Sequence, residues 1–316
     1  MDSSDRRPTP PRPASCGRAT KPTVSVIVPT LPTEERAWLL ARALCSALRQ
    51  VRRPLEILVV QDGPALPSWL PILEREGVLA PPVRRIILSR HGGHVRARNT
   101  GLTLARGTHV AFLDDDDIWL PEHLADLIAT ARAGKASLVY SDAEVVTVRA
   151  RASERPLVLE RLPFAFDWDP DFLARYNFVI PSTLLYERSL HVTVGPLREA
   201  AGHHWDWDFL LRIAERGIRT ARVPRVSVLY TVDAEGHNES ARLEEMAASA
   251  RLLTRRHGLQ PVSGHNFRTM LSEPEVRARL RPTLRLWEAS ALPDPRACRE
   301  AQSTAQRHED PPSRIR

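Results

Sequence analysis

The chain has 316 residues, of which 42% are hydrophobic, and a formal net charge of +7. This length suits one large domain or two small ones, and the hydrophobic content is ordinary for a protein with a sizeable core. No apolar stretch approaches the ~20 residues of a membrane span, and no N-terminal apolar segment indicates export. Cys16, Cys45 and Cys298 lack metal-ligand spacing, which is typical of free thiols in a reducing compartment. We therefore expect a cytoplasmic protein.

The positive charge does not indicate nucleic-acid binding. Lysine occurs only at Lys21 and Lys135, and the arginines are scattered instead of forming a basic run with interleaved aromatic residues. We expect no nucleic-acid partner. Nucleotide phosphates, or peripheral contact with the inner face of a membrane, stay open as partners for some of the arginines.

Strands and helices alternate through the first half of the chain. Residues 1–21 lack hydrophobic periodicity and are rich in Pro, Arg and Ser, which predicts a disordered arm. The predicted strands that follow are 24–28, 55–60, 85–88, 109–113 and 137–148. The predicted helices are 35–50, 67–76, 95–105 and 121–133. This alternation favours an α/β fold with a doubly wound, mainly parallel sheet flanked by helices.

The second half is less regular. Its predicted strands are 157–166, 181–186 and 225–230. Its predicted helical segments are 171–176, 207–216 and 240–257. Gly217 closes the middle helix, as glycine commonly does. Residues 293–316 resemble the N-terminal arm in composition and are predicted to be a disordered tail.

Three polar segments fall where predicted strands end: Pro29-Thr30, Asp62-Gly63 and Asp114 to Asp117. In doubly wound sheets, ligands bind outside the carboxyl ends of the strands. Adjacent carboxylates raise one another's pKa values unless a cation neutralises them, and clustered carboxylate oxygens suit a divalent ion that also binds phosphate. The sequence therefore predicts a metal-phosphate site there. The alternative is a solvated acidic turn that caps the next helix.

An ordered set of motifs resembles glycosyltransferase family 2, which has the GT-A fold. The matching segments are 24–30, 56–63, 97–101 (Ala-Arg-Asn-Thr-Gly), 107–117 (the strand leading into a DxD motif), 177–186, 194–197 and 205–212. The chain departs from the family pattern at Leu31-Pro32, at Gln61 and at Trp205. The first two departures leave the nucleobase open, and the third leaves the acceptor open.

The resemblance implies a division of the chain. Residues 22–240 would form the glycosyltransferase domain, with a nucleotide-sugar half at 22–149 and an acceptor half at 150–240. Residues 241–292 would be a C-terminal helical extension. The implied activity is metal-dependent, inverting transfer of a sugar from a nucleotide-sugar to an acceptor hydroxyl.

The resemblance also implies donor and metal contacts. The residues expected to contact the donor are Pro29, Thr30, Asp62, Arg98, Asn99, Asp114 and Asp115. Asp62 would bond the nucleobase, or else stabilise its own turn with Gly63 and Pro64. Asp114, Asp116 and His237 would hold Mn²⁺ or Mg²⁺. Arg98 would reach the diphosphate or lie on a solvated helix face, and Asp117 would be a metal ligand or a helix cap.

Asp206 is the general base that the resemblance implies. Flanking Trp205 and Trp207 would desolvate its carboxylate and raise its pKa, or provide a platform for a sugar. Asp206 also suits the N-cap position of the following helix. Asp208, two positions along, is expected to be structural. His203 and His204 are candidate acceptor contacts.

The implied partners are a nucleoside-diphosphate sugar, with UDP-sugars first, and a saccharide, lipid-linked or small-molecule acceptor. Two alternatives remain. A non-catalytic nucleotide-sugar-binding protein would keep the same fold, since fold does not fix function. A nucleotidyltransferase would normally carry a Gly-rich phosphate loop near the first strand, and Leu31-Pro-Thr-Glu34 is not one.

Overall fold

A computed structural model describes residues 21–64, 66, 68–149, 156–235, 243–262, 265–285, 287 and 292. The predicted tail and all but the last residue of the predicted arm lie outside these residues. His237 also lies outside them, as does Pro67, the expected start of the second helix.

The described residues form an α/β fold, which confirms the predicted class. The strands are β1 (Val24–Thr30), β2 (Glu56–Gln61), β3 (Val83–Ile87), β4 (His109–Phe112), β5 (Ile118–Trp119), β6 (Leu138–Arg149), β7 (Leu157–Phe164), β8 (Leu184–Glu187) and β9 (Thr220–Asp233). The helices are α1 (Glu34–Leu48), α2 (Trp69–Arg75), α3 (His94–Leu104), α4 (His123–Gly134), α5 (Pro170–Leu173), α6 (Leu190–Thr193), α7 (Trp205–Glu215), α8 (Leu243–His257), α9 (Phe267–Met270) and α10 (Pro274–Ala278). Short 3₁₀ turns occupy Pro181–Thr183 and Glu199–His204.

Across the described residues the strands join one sheet in the order β3-β2-β1-β4-β8-β6-β9-β5, and β7 pairs with β6. The first four strands are parallel, with Thr30 of β1 beside Gln61 of β2 and Ile27 of β1 beside Phe112 of β4. β8 then enters antiparallel to β4. Because β1, β2 and β4 are parallel, the polar segments that follow them meet at one edge of the sheet.

The central parallel strands β1 and β2 are buried along their whole length. Val26, Ile27 and Val28 are completely buried in β1, as expected for a strand covered by helices on both sides. α3 crosses β1 very closely at Gly101, where an added Cβ would meet Ile27 Cγ2 at 2.5 Å. Glycine at this position therefore lets α3 hold its first turn near the ends of the strands.

Two predicted elements of the acceptor half differ from the structure. The segment predicted as a strand at 181–186 begins with the 3₁₀ turn Pro181–Thr183, and only its last part pairs as β8. The proline ring favours the first position of such a turn. The helix predicted to begin at Trp207 begins at Trp205, with His204 as its N-cap, so Asp206 lies inside the first turn and is not the cap.

The C-terminal segment returns to the acceptor half of the sheet. The Arg281 N–H donates to the Ala165 carbonyl at 2.9 Å, and the Val226 N–H donates to the Leu284 carbonyl at 2.9 Å. The extension therefore includes extended backbone as well as the helices α8 to α10. Within the part of the chain that the structure describes, no helix combines the length and apolarity that crossing a bilayer requires.

Candidate functional site

A cavity of about 1080 Å³, including its open mouth, lies beyond the ends of β1, β2 and β4. The sequence-predicted residues that line it are Pro29, Thr30, Asp62, Arg98, Asp114, Asp115, Asp116, His203, Trp205 and Asp206. Asn99 is not part of the lining. Residues of both predicted halves thus meet around one space, although Asp206 is 90 positions from Asp116 along the chain.

Asp62 holds the loop that precedes α3. Its buried carboxylate accepts hydrogen bonds from the backbone N–H groups of Gly92 and Gly93, each at 2.8 Å. His91 Nδ1 lies 2.7 Å from one of the same oxygens. Gly93 is the N-cap of α3 with a φ of 89°, which glycine adopts without steric cost. The structural role of Asp62 is therefore to fix this loop, and not the Gly63-Pro64 turn.

Arg98 connects the acidic segment to α7. Its guanidinium bonds the Asp114 carboxylate and donates to the His94 carbonyl at 3.1 Å. The guanidinium carbon also lies 4.4 Å from the ring centroid of Trp205, a favourable cation–π distance. Arg98 is buried, so the alternative of a solvated helix face is wrong.

Arg36, in the first turn of α1, binds the middle of the acidic segment. Its guanidinium nitrogens lie 3.0 Å from Asp115 Oδ1 and 3.1 Å from Asp116 Oδ2. The Thr30 hydroxyl donates to the other Asp115 oxygen at 2.5 Å. Burial raises the pKa of Asp115, and the Arg36 charge opposes that rise. Asp115 is therefore engaged by the protein on both oxygens.

The acidic segment alternates between open and buried carboxylates. The Asp114 and Asp116 side chains are 22% and 16% exposed, whereas that of Asp115 is 3% exposed. Asp117 is fully buried. The first and third carboxylates are therefore the ones accessible to a ligand.

Asp117 is a structural residue in these contacts. It accepts a hydrogen bond from the Ser182 hydroxyl at 2.5 Å and another from the Thr231 backbone N–H at 3.1 Å. Burial is the main reason that its pKa is raised well above its ordinary value. α4 begins only at His123, so Asp117 does not cap that helix. It ties the acidic segment to the 3₁₀ turn before β8 and to β9.

Asn99 faces the segment around Leu197, in the predicted acceptor half, and does not line the cavity. Its side-chain amide donates to the Leu197 carbonyl at 2.9 Å, and its oxygen accepts the Leu197 N–H at 3.1 Å. This pair of bonds joins α3 to the segment 194–197. Asn99 therefore positions one half against the other instead of lining the expected donor site.

Asp206 is buried and lines the same cavity as the sheet-edge residues. Asn177 Nδ2 donates to its carboxylate at 2.7 Å, and the Val179 N–H donates to Asn177 Oδ1 at 3.3 Å, which orients the amide. Burial raises the pKa of Asp206 to about 6, although the bonds from Asn177 and the Trp207 backbone lower it. Trp207 Nε1 is bonded to the Leu173 carbonyl at 2.7 Å. The carboxylate therefore sits in a largely neutral, desolvated environment.

Two of the three departures from the family pattern, Gln61 and Trp205, have different surroundings. Gln61 is fully buried, and its amide donates to the Gly63 carbonyl at 2.8 Å, so it shapes the turn after β2. Trp205 lines the cavity. Its ring also packs edge-on against Phe112 at 5.4 Å between centroids. Trp205 therefore supports both Arg98 and the end of β4.

Asp208 does not line this cavity. It is fully buried and accepts from Arg212 at 2.9 Å and from Arg198 at 3.1 Å. His257 Nε2 lies 3.1 Å away. These contacts join α7 to α8 and agree with the structural role expected of this residue.

The residues at the sheet edge fit a divalent metal. Among the described residues, no group of three or more His, Cys, Asp or Glu side chains has metal-binding geometry. A magnesium-like ion commonly takes only one or two protein carboxylates and completes its shell with substrate phosphates and water. Asp114 and Asp116 supply such a pair. Arg36 and Arg98 now bond these two carboxylates, which shows that the pair attracts positive charge.

Several cavity residues were not predicted from the sequence. They are Leu31, Arg36, His91, Gly93, His94, Ala97, Pro181, Tyr230 and Met246. Arg36 carried a usable signal, because the first turn of a helix that follows β1 must start near the end of that strand. No sequence signal indicated Met246, because its position in the cavity wall depends on the packing of α8 against the 3₁₀ turn Glu199–His204.

Comparison with known proteins identifies the family. The model of Glycosyl transferase family 2 matches residues 25–190, just over half of the chain. The chain belongs to glycosyltransferase family 2. It is 33% identical over 255 residues to the uncharacterized glycosyltransferase YwdF of Bacillus subtilis (strain 168), covering 79% of this chain and 92% of YwdF.

Other relatives match in part. Succinoglycan biosynthesis protein ExoO of Rhizobium meliloti (strain 1021) is 29% identical over 70% of this chain and 65% of ExoO. O-antigen biosynthesis protein RfbC of Myxococcus xanthus is 29% identical over 62% of this chain, which spans only 15% of RfbC. The family assignment makes the chain a glycosyltransferase.

Solved structures show the same fold. S. aureus TarS 1-349 in complex with UDP-GlcNAc superposes with a TM-score of 0.54 at 20% identity, covering 74% of this chain and 66% of TarS. Mannosyltransferase PcManGT of Pyrobaculum calidifontis, in complex with GDP-Man and Mn²⁺, gives 0.52 at 16% identity, covering 93% of this chain and 77% of PcManGT. The chain therefore has the GT-A fold that its motifs predicted.

Proposed function

We propose that this glycosyltransferase moves a sugar from a nucleoside-diphosphate donor to an acceptor hydroxyl by metal-dependent, inverting transfer, with Asp206 as the general base. One observation carries the proposal. Asp114 and Asp116, which are open carboxylates, line the same cavity as Asp206, a buried carboxylate with a raised pKa. These are the two chemical functions that the reaction needs on opposite sides of one sugar.

The donor would bind at the edge of the parallel strands. Its diphosphate would lie near Asp114 and Asp116 through the metal, and near the Arg98 guanidinium, because arginine pairs well with phosphate. Its nucleobase would lie toward Asp62 and the 91–93 loop. We propose UDP-sugars as the first donors to test, since TarS structures contain UDP and UDP-GlcNAc.

Asp206 would act on the acceptor. As the acceptor oxygen attacks the anomeric carbon, its proton passes to the Asp206 carboxylate and the bond to the diphosphate oxygen breaks. The nucleoside diphosphate leaves with the bonding electrons. A base is most effective when its pKa lies near the working pH, and a pKa of about 6 makes Asp206 a stronger base than an ordinary aspartate.

Asp114 and Asp116 would hold the metal, and Asp115 and Arg36 would hold the acidic segment in place. A bound divalent cation offsets the negative charge that develops on the leaving diphosphate. His237, expected from the sequence as a further ligand, lies outside the described residues. Its role in metal binding stays a prediction.

The test is Asp206→Asn, which keeps the size of the side chain and removes its basicity. We expect UDP to bind with wild-type affinity in calorimetry with Mn²⁺. Turnover of a panel of labelled UDP-sugars, measured as transfer or slow hydrolysis, should fall about 10²- to 10⁴-fold, the usual contribution of a general base.

Asp171→Asn is the matched control, since Asp171 is exposed in α5 and does not line the cavity. Unchanged turnover in Asp206→Asn contradicts the base assignment. Wild-type protein that binds UDP but neither transfers nor hydrolyses any donor of the panel would instead support the non-catalytic alternative.

A further inference from the structure

A second cavity adjoins the first on the far side of Asp206. It has a volume of about 470 Å³, including its open mouth. Asp206, His203 and Met246 line both cavities, so the candidate base lies between them. Membership of glycosyltransferase family 2 does not by itself give a ligand for this second cavity.

Three segments distant in sequence form its walls: 175–177, 203–207 and 265–270. Much of the surface is aromatic or apolar. The Tyr176 ring lies 6.2 Å from the His265 ring, and Phe267 is fixed edge-on against Tyr230 at 5.3 Å between centroids. The residues around α9, in the predicted C-terminal extension, thus complete a pocket that begins at Asp206.

His204 supplies a polar group that is unused by the protein. Its side chain is 4% exposed, and Nδ1 has no hydrogen-bond partner among the described residues. Buried polar atoms in native structures almost always have a partner, so an unpaired one in a cavity wall points to a ligand. Burial lowers the pKa of His204 to about 4, so the ring is neutral near neutral pH and carries one donor and one acceptor.

The charges at this cavity favour an uncharged ligand. The Arg175 guanidinium forms a two-pronged ion pair with Glu275. His203 Nε2 lies 3.0 Å from a carboxylate oxygen of Glu245. A third basic side chain of the lining, His265, has its Nε2 3.9 Å from a carboxylate oxygen of Glu273. Arg175, His203 and His265 therefore each have a carboxylate partner in the protein.

We propose that this cavity is the acceptor subsite and takes a neutral pyranose ring. A pyranose presents apolar C–H faces, which suit Tyr176 and Phe267, and a hydroxyl edge, which suits the convergent polar groups of such pockets. One ring hydroxyl reaches Asp206, and another bonds His204. This inference rests on the proposed function, because it takes Asp206 to be the base, and it selects a saccharide from the acceptor classes that the sequence left open.

Saturation-transfer NMR on the full chain tests the subsite directly, because the method detects weak ligands. The protein is studied with UDP and the diamagnetic ion Mg²⁺ and a panel of methyl pyranosides: glucoside, galactoside, mannoside and N-acetylglucosaminide, with methyl glucuronide as the charged comparator. We expect ring protons of at least one neutral glycoside to be saturated more strongly than those of the glucuronide, while the UDP protons are saturated too.

The variant that tests the assignment is His204→Leu, which removes the polar atoms without removing a hydrogen bond that the protein makes through Nδ1. The apparent affinity for the glycoside should weaken about tenfold, the usual cost of losing one good hydrogen bond in a buried site, with UDP binding unchanged. Tyr176→Ala should have the same selective effect. His109→Leu, at the opposite end of β4, is the matched control and should change neither ligand.

Each failure has a separate meaning. If UDP gives no signal in the wild-type protein, the proposed function and the subsite both fail. If UDP is saturated but no neutral glycoside is, or if the glycoside signal is unchanged in both His204→Leu and Tyr176→Ala, the subsite is wrong and the proposed donor site stands.

Discussion

The two sides of the main cavity hold their carboxylates in opposite ways. At the ends of β1 and β4, Asp114, Asp115 and Asp116 are matched by the guanidinium groups of Arg36 and Arg98. Asp206, which lines the same cavity, is buried and accepts hydrogen bonds from the neutral amide of Asn177 and from backbone N–H groups. The first side is balanced by charge, and the second is balanced by desolvation and neutral hydrogen bonds.

This difference indicates a division of chemical roles. Asp114 and Asp116 are partly exposed and each is paired with a guanidinium group, an arrangement that suits the binding of a metal. The buried Asp115 between them differs, because burial raises its pKa. A desolvated carboxylate holds a proton more strongly, which suits proton transfer. Arg98 contacts both sides of the cavity, since it bonds Asp114 on one side and lies against the Trp205 ring on the other.

The largest expected effect concerns the cost of burying Asp206. Its pKa in the folded protein is about 6, against an ordinary 3.8, so its ionisation favours the unfolded chain. The wild-type stability linked to this group is therefore present below pH ~4 and is lost as pH rises through 6. At 1.36 kcal/mol per pKa unit, the free energy of unfolding of Asp206→Asn, relative to that of the wild type, should rise by about 3 kcal/mol between pH 4 and pH 8.

Urea unfolding of both proteins at five pH values between 4 and 8 measures this gain, with Asp171→Asn as the exposed control. A stability difference that does not change with pH would show that Asp206 is not desolvated, and the contrast between the two sides would be lost.

On the charged side, Asp116→Ala should weaken metal-dependent nucleotide binding. Mutation of a residue that only supports a metal ligand typically lowers the metal affinity 10- to 100-fold. Removal of a direct ligand should therefore lower the affinity for UDP in the presence of Mn²⁺ about 100-fold. Calorimetry with UDP, with and without Mn²⁺, provides the measurement. Glu122→Ala, on the exposed surface before α4, is the control. Equal UDP affinity in Asp116→Ala and wild type, in the presence of Mn²⁺, would remove Asp116 from the metal site.

On the neutral side, Asn177 keeps the pKa of Asp206 from rising further, because it donates to the charged form. Asn177→Leu should therefore move the acidic limb of the kcat/KM profile up by about one pH unit, since a hydrogen bond to a charged group is worth about 1.5 kcal/mol. The rate should fall about tenfold near pH 5 and much less above pH 8. A uniform loss at every pH would indicate a purely structural role.

The smallest expected effect belongs to Arg36, whose side chain is 26% exposed. Because Arg36 and a metal would compete for Asp116, Arg36→Gln should tighten Mn²⁺ binding without nucleotide by about threefold, as expected for a partly exposed ion pair. Electron paramagnetic resonance of free Mn²⁺ measures this. Arg75→Gln, on α2 and outside the cavity, is the control, and weaker Mn²⁺ binding in Arg36→Gln would mean that Arg36 supports the metal instead of competing with it.

The donor side was largely predictable from the sequence because its signals are local. β1, β2 and β4 are short buried runs, and the polar residues that follow each strand must meet at one edge once the strands are parallel. The acidic segment was predicted as a site, but the separate behaviour of Asp117 was not. Its burial depends on Ser182 and Thr231, which are distant in sequence.

The acceptor side was less predictable because long-range packing decides it. Because α7 begins at Trp205, Asp206 lies in the first turn of the helix and not at the N-cap position that the sequence suggested. Asn99 appeared to belong to the donor by motif, yet it bonds Leu197 across the two halves. Nothing local in the sequence near Phe267 indicates that it closes a cavity beside Asp206.

A crystal structure of the full chain with UDP and Mn²⁺ tests whether one cavity holds the donor, the metal and the base. We expect Mn²⁺ bound by Asp114 or Asp116, the diphosphate on that ion, and the Asp206 carboxylate facing the terminal phosphate across a gap that fits one sugar ring. UDP bound elsewhere, or bound here with Asp206 turned away from the terminal phosphate, would contradict it.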